Sequence, residues 1–219
     1  MSMDSYEISR TLPAAIASDL ARPLPGEAAQ DKMAPRPRFY AEHRSRIVEN
    51  AKENGVLVAL YPRDNDIYLP LILRPIYSGV HSGQVSLPGG RMEDYDADVV
   101  ACSLREAHEE IGVAAEKIQV LGRLSPLYIG ASNNTVYPVV GWLDEAPEFQ
   151  TDEREVAMLI ETPLKALLDP SNKRHEWREL RDRRADVPYF LICDQIIWGA
   201  TAMILGELLE LPSIKRLRG

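Results

Sequence analysis

The stretch 98–112 constrains the fold more than any other part of the chain. Val100, Leu104, Ala107 and Ile111 recur at i, i+4, i+7 and i+11, which places them on one stripe of an α-helix. A helix over 98–111, closed by Gly112, must bury that stripe against another layer. The same helix carries Glu106, Glu109 and Glu110, related as i, i+3 and i+4, so three carboxylates share a second face. Like charges at that spacing oppose an isolated helix, and with the apolar stripe buried they point along an edge or into a cleft. Three hard oxygen donors on a rigid helix form a partial shell for magnesium or manganese, which take the rest of their coordination from water and substrate phosphates. Arg105 can pair with a carboxylate one turn away and fix its orientation.

The elements around this helix read as a mixed sheet. Residues 56–61 form a short β-prone apolar run. After a loop at 62–66, residues 67–74 form the second strand of a hairpin with a longer loop. Further strands are expected at 83–87, 118–124, 135–142, 155–160 and 189–193, with a short helix starting near Pro163 and a final helix over 195–211. The fold class is therefore α/β, with a mixed sheet between helical layers. Residues 6–20 carry a weak helical pattern broken by Pro13. The prolines at 23, 25, 35 and 37 suggest an extended arm over 22–38, and 40–54 reads as a helix ended by Gly55. The chain divides into an N-terminal extension, 1–54, packed on one domain, 55–219.

Charge narrows the partners. With 25 basic and 33 acidic residues the formal net charge is −8, which repels nucleic acid and anionic membrane surfaces. A phosphorylated substrate would need divalent cations to neutralise it, and the 106–110 cluster is where they would sit. The two cysteines, Cys102 and Cys193, have no CxxC partner and read as buried thiols in a reducing cytosol. The N-terminus shows no secretory pattern, and the apolar stretch 196–205 is too short to span a bilayer, so a cytoplasmic location is expected. A homodimer is common among folds of this sort, but no residue specifies one.

Arg105-Glu106-Ala107-His108-Glu109-Glu110-Ile111-Gly112-Val113 resembles the second half of the box of the Nudix hydrolase family, in which a glycine, a glutamate and an REUxEExGU helix (U, bulky apolar) follow one another at set spacing. Asp96 stands at the glutamate position, and the segment from Gly90 to Arg105 is one residue longer than the general box. Upstream, Leu71-Ile72-Leu73-Arg74 and His81-Ser82-Gly83-Gln84-Val85-Ser86-Leu87-Pro88-Gly89-Gly90 resemble the motif preceding the box in coenzyme A pyrophosphatases, a subgroup that commonly has the same aspartate and the same added residue. The tail 187–205, with Ile197-Trp198-Gly199-Ala200-Thr201, also resembles the end of those proteins. The subgroup usually has a basic residue shortly before the histidine, and 75–80 carry no charge.

The resemblance implies a Nudix α/β/α sandwich and Mg2+- or Mn2+-dependent hydrolysis of a pyrophosphate bond. For coenzyme A the products are 3′,5′-ADP and 4′-phosphopantetheine. It implies metal binding by Glu106, Glu109, Glu110 and the carbonyl of Gly90. Glu109 is the first candidate for general base, with Arg105 beside it in the catalytic set. Arg74, His81, Gln84 and Gly89 are implied as substrate contacts. Asp96, Glu155 and Asn133 are additional candidates: Glu155 is either a later carboxylate of the site or a surface residue of the charged run 152–155, and Asn133 lies in a polar loop that either contacts base or ribose or is a simple turn. His108 reads as a partly exposed helix residue, and the basic run 173–178 as a solvated helix or loop. Two other readings stay open: a Nudix enzyme acting on ADP-ribose, a dinucleotide or a nucleotide sugar, and a non-catalytic Nudix-like binding module.

Overall fold

The computed structural model describes residues 5–37, 51–77, 81–180 and 183–218. Its centre is a long strand, β1 (Lys52–Arg63), which turns through Asp64 and Asn65, both at positive φ, into β2 (Asp66–Leu73). The hairpin turn is thus a tight two-residue one, the kind Asp and Asn favour, rather than the longer loop expected over 62–66. β1 pairs in parallel with β7 (Asn134–Trp142), while β2 pairs antiparallel with β3 (Val85–Ser86) and β8 (Met158–Pro163). β4 (Gly89–Arg91) joins β1, and β5 (Gln119–Arg123) and β6 (Leu127–Ile129) join β7, completing a mixed eight-stranded sheet.

Alternation along β1 decides which layer lies on which face. Leu57, Ala59 and Tyr61 point to one side, where Ala107 and Ile111 of α3 (Val99–Ile111) are fully buried against them and Val100 and Leu104 pack at the margin. Val58 and Leu60 point to the other side, into a second cluster with Leu12 and Ile16 of α1 (Ser5–Leu20), Met33 and Ala34. That cluster also takes in Leu164 and Leu168 of α4 (Leu164–Leu168) and Leu205 and Leu208 of α5 (Gly199–Leu208). The sheet therefore lies between helical layers, the α/β/α arrangement.

Several local expectations are corrected. α1 runs through Pro13 without a break. The proline-rich arm contains a short helix, α2 (Gly26–Gln30), and a turn of 3-10 helix at Asp31–Met33, because the prolines fall between the elements and not within them. Lys52, Glu53 and Asn54 are strand and not helix, and the rest of the helix expected over 40–54 lies outside the described residues. The strand expected at 155–160 begins only at Met158.

The largest correction is at the C-terminal end. The basic run 173–178 is neither helix nor loop but part of β9 (Lys173–Leu180), which pairs with β10 (Arg183–Ile192). The first residues of the expected last helix form β11 (Gln195–Trp198). These three strands make a separate antiparallel sheet, and Cys193, expected to be buried, sits exposed with Asp194 in its β10–β11 turn. After α5, a short helix, α6 (Pro212–Lys215), packs back on the body through Ile214.

Candidate active site

The two ends of α3 are fixed locally. Asp98 caps the first turn by accepting from the amides of Val100 and Ala101 at 2.9 and 2.8 Å, and Gly112 ends the helix at φ 72°. With its apolar stripe on the sheet, α3 lays Glu106 and Glu110 over β4. The glutamates are not equivalent: the Glu110 side chain is 1% exposed, Glu106 14% and Glu109 52%. His108 is exposed. Glycines make the close approach possible. A Cβ on Gly90 would overlap the Glu106 carboxylate, and one on Gly89, whose φ is 148°, would overlap the backbone of Gly55 and Val56.

Glu110 is the most enclosed of the acids. Its Oε2 accepts from the Gly89 amide at 2.7 Å, and its Oε1 lies 3.8 Å from Nη2 of Arg74. The same guanidinium donates to the Gly89 carbonyl and to Ser86 Oγ, both at 3.1 Å. Burial pushes the Glu110 carboxyl up to about 7 against the pull of Arg74 and the Gly89 amide, and the charges of Glu106 and Glu155 push in the same direction as burial. Burial also raises Glu106, with Arg105 opposing and Glu109 and Glu155 adding to the rise. Glu155 itself is exposed, on a turn brought to the end of α3 by the amides of Gln150 and Asp152, which donate to the carbonyls of Ile111 and Glu110 at 3.0 and 3.1 Å.

Arg105 ties the acids together. Its Nε and Nη2 donate to the two carboxylate oxygens of Asp96 at 2.9 and 2.8 Å, and its Nη1 donates to Glu106 Oε1 at 2.7 Å and Glu109 Oε2 at 2.9 Å. This bidentate clamp holds the Asp96 carboxyl down at about 2. Asp96 therefore positions Arg105 from a buried site, and also accepts from the Glu93 amide. The Cys102 thiol, pushed up to about 11 by burial, donates weakly to the Gly90 carbonyl at 3.6 Å.

Three carboxylates beside a backbone carbonyl are the hard donor set that suits magnesium or manganese. Among the described residues no three acidic, histidine or cysteine side chains are arranged so as to hold a metal ion. Arg105 stands between Glu106 and Glu109, and the Gly89 amide and Arg74 hold Glu110. Burial, the main cause of the raised proton affinity of Glu106 and Glu110, leaves their charged forms poorly solvated, a deficit that a bound cation would relieve, so the donors fit such an ion.

Gly89 and Gly90 also form one boundary of a cavity of about 910 Å³. Arg74, His81 and Gln84 line it, with His81 Nδ1 3.4 Å from Gln84 Oε1. Trp198, Gly199, Ala200 and Thr201, at the junction of β11 and α5, form another wall, and Thr201 Oγ1 donates to the Val85 carbonyl at 3.0 Å, tying that junction to β3. The three glutamates, Asp96, Glu155 and Asn133 do not line the cavity. Asn133 closes the β6–β7 turn at φ 53° and accepts from the Tyr128 hydroxyl at 2.9 Å, while Tyr128 and Asn134 reach the cavity. Arg91, directly after the glycine pair, and Arg183, at the start of β10, line it as well. Adjacency to Gly90 could have flagged Arg91, but nothing local in the sequence marks Arg183.

Residues 51–182 match the NUDIX domain. The chain belongs to the Nudix family. Among curated relatives, the uncharacterized Nudix hydrolase NudL of Photorhabdus laumondii is 32% identical over 165 residues, covering 75% of this chain and 87% of the relative. The NudL of Enterobacter sp. strain 638 is 35% identical over 166 residues, covering 75% and 84%. Among solved structures, the MutT/nudix family protein from Enterococcus faecalis aligns over 83% of this chain and 72% of its own length, with 16% identity and a TM-score of 0.46. Nudix hydrolases use divalent metal ions such as magnesium or manganese. The Nudix match ends before β10, so Trp198 and the α5 side of the cavity lie outside it. Among the described residues no helix is long and apolar enough to cross a membrane.

Proposed function

We propose that this Nudix hydrolase cleaves the pyrophosphate bond of coenzyme A or an acyl-coenzyme A, releasing 3′,5′-ADP and the (acyl-)4′-phosphopantetheine. One observation carries the reading. Arg74, His81, Gln84, Gly89 and Gly90 from the upstream motif and Trp198 to Thr201 from the tail, the two segments that resemble coenzyme A pyrophosphatases, line the same cavity. The cavity's volume lies at the large end of the ordinary range for small-molecule sites, as a substrate of this length requires.

Glu106, Glu109, Glu110 and the Gly90 carbonyl would hold magnesium or manganese, which neutralises pyrophosphate charge and activates the attacking water. Arg105, clamped by Asp96, orients Glu106 and Glu109. Arg74 and the Gly89 amide hold Glu110 in place beside the glycine pair. On this reading Glu109, the most exposed of the three glutamates, accepts the proton of the water, with Glu155 as a further carboxylate near the end of α3. His81 and Gln84 meet the substrate from the cavity side.

A second reading, cleavage of ADP-ribose, a dinucleotide or a nucleotide sugar, is favoured by the uncharged 75–80 stretch, where coenzyme A pyrophosphatases usually have a base. Incubating the full chain with magnesium and each compound, followed by product identification, separates the two. Coenzyme A should yield 3′,5′-ADP, and the reaction should stop on chelation. Cleavage of ADP-ribose with coenzyme A left intact would overturn the coenzyme A reading, and turnover unaffected by a chelator would overturn the metal assignment. No turnover of any compound, with nucleotide still bound, would point to a binding module.

A further inference from the structure

We propose that Trp198 is the stacking platform for the substrate's adenine base. The inference rests on the reading of the cavity as a nucleotide site and names what holds the base there. Three aromatic side chains, Tyr77, Tyr128 and Trp198, line the cavity. The Tyr128 hydroxyl is committed to Asn133, and Tyr77 stands at the outer edge, 47% exposed. Trp198 offers the largest aromatic surface of the three and carries a guanidinium over its ring.

That contact runs across the second sheet. The Arg178 guanidinium carbon lies 4.7 Å from the centroid of the Trp198 ring, and Arg178 is itself ion-paired with Glu176 on the same strand. Trp198 pairs with Tyr189 across β10–β11, and Gly199 at φ 64° turns the chain straight into α5, which Thr201 anchors to β3. The ring thus carries a cation over it and is held along its backbone by a sheet, and the residue lines the cavity. An aromatic plane fixed before the ligand arrives gives up little freedom on binding.

A flat indole face matches a planar purine, whose stacking depends on overlapping π surfaces. A pantetheine arm is flexible and largely saturated, and gains more from the aliphatic side of the cavity at Leu127, Val136 and Ile204. The platform lies beyond the Nudix match, so the segment after residue 182 recognises the base while β4 and α3 hold the pyrophosphate.

The test uses the full chain with 5′-AMP, ribose 5-phosphate and 4′-phosphopantetheine as probes. In 15N–1H spectra, the indole signal missing from Trp198→Phe identifies Trp198. That signal should shift on addition of 5′-AMP and not of ribose 5-phosphate. Trp198→Leu should weaken 5′-AMP binding about tenfold and raise KM for coenzyme A by a similar factor with kcat little changed, and Trp198→Phe should recover most of both. A Trp198 signal that moves with 4′-phosphopantetheine but not 5′-AMP, or with neither, overturns the proposal, and the wild-type spectra decide this even if Trp198→Leu fails to fold. A chain that binds 5′-AMP on Trp198 yet releases no 3′,5′-ADP from coenzyme A keeps the platform and loses the coenzyme A reading. Release of 3′,5′-ADP with an unmoved Trp198 signal does the reverse.

Discussion

The amide of Gly89 donates to Oε2 of Glu110 at 2.7 Å, joining the strand that bounds the cavity to the most buried acid of α3. That carboxyl is 1% exposed and is pushed up to about 7 by burial. Its folded value therefore exceeds the value near 4.3 expected of an unfolded glutamate. The folded chain binds the extra proton, so in a chelator the stabilising contribution is complete below about pH 4.5 and is lost as pH rises through about 7, on the order of 3–4 kcal/mol in total. Glu110→Gln should flatten that decline while lowering turnover about 100-fold or more. Thermal unfolding in a chelator at pH 5 and pH 8, with magnesium-dependent turnover beside it, measures both, and a pH slope unchanged by the substitution would contradict the burial argument.

Gly90 and Gly55 allow a test of geometry apart from stability. Nearest to a Cβ on Gly90 would be the carboxylate end of the Glu106 side chain, which can swing away, whereas nearest to one on Gly55 would be the Val99 carbonyl and the Ser103 amide of α3, which cannot. Gly90→Ala should fold almost normally but require roughly ten- to a hundredfold more magnesium for half-maximal turnover, because Glu106 is displaced. Gly55→Ala should lose about 3 kcal/mol of stability, because helix and sheet must separate. Denaturant melts and magnesium titrations of the two variants should show opposite patterns. Equal stability losses would mean that Glu106 cannot yield.

These contacts also show how far the sequence could be read. α3 was legible because its apolar period, its acidic face and its closing glycine all lie within one short segment, and Ala107 and Ile111 are buried as that period requires. The second sheet was not. β9 alternates charged and partly buried residues with Trp177 outermost, so neither face carries an apolar row to announce a strand. β11 merges with α5 in one continuous apolar run, and only Gly199 at φ 64° separates strand from helix. The pairing of Arg74 with Glu110 could not be read from spacing either. It depends on Arg74, just past β2, and Glu110 of α3 both reaching Gly89 of β4, a meeting set by the fold and not by any local pattern.

Asp96 occupies the position where the general Nudix box has glutamate, and here it clamps Arg105 instead of facing the cavity. Held at about 2, below the unfolded value near 3.9, its contribution is present above about pH 4 and is lost as pH falls toward 2. Asp96→Asn should shorten the acid limb of the stability curve and cost about 1–3 kcal/mol at neutral pH, since Arg105 keeps Glu106 and Glu109 as partners. Turnover should fall further than stability, because Arg105 then drifts against the two carboxylates it orients. Acid titrations followed by circular dichroism, compared with kcat at pH 7.5, decide it. An acid limb identical to wild type would mean that the clamp contributes nothing to folding.

Glu207 joins the N-terminal segment to the body of the protein. Fully buried on α5, it accepts from the Gly26 amide at 3.0 Å and the Ser125 amide at 3.2 Å through Oε1, and from Gln30 Nε2 at 2.8 Å through Oε2. All three partners are donors, so an acceptor-only carboxylate suits the position and a carboxamide does not. Glu207→Gln must turn an NH2 group toward Gln30 or toward the two amides and leave donors unpaired in the core, at a cost of about 1–3 kcal/mol. The loss should appear first at α2 and the loop around Ser125, because those are the groups the carboxylate holds. Hydrogen exchange on the variant should therefore show faster exchange at Gly26 and Ser125 with α3 unchanged. Uniform acceleration across α3 as well would mean that the N-terminal segment and the sheet unfold as one unit.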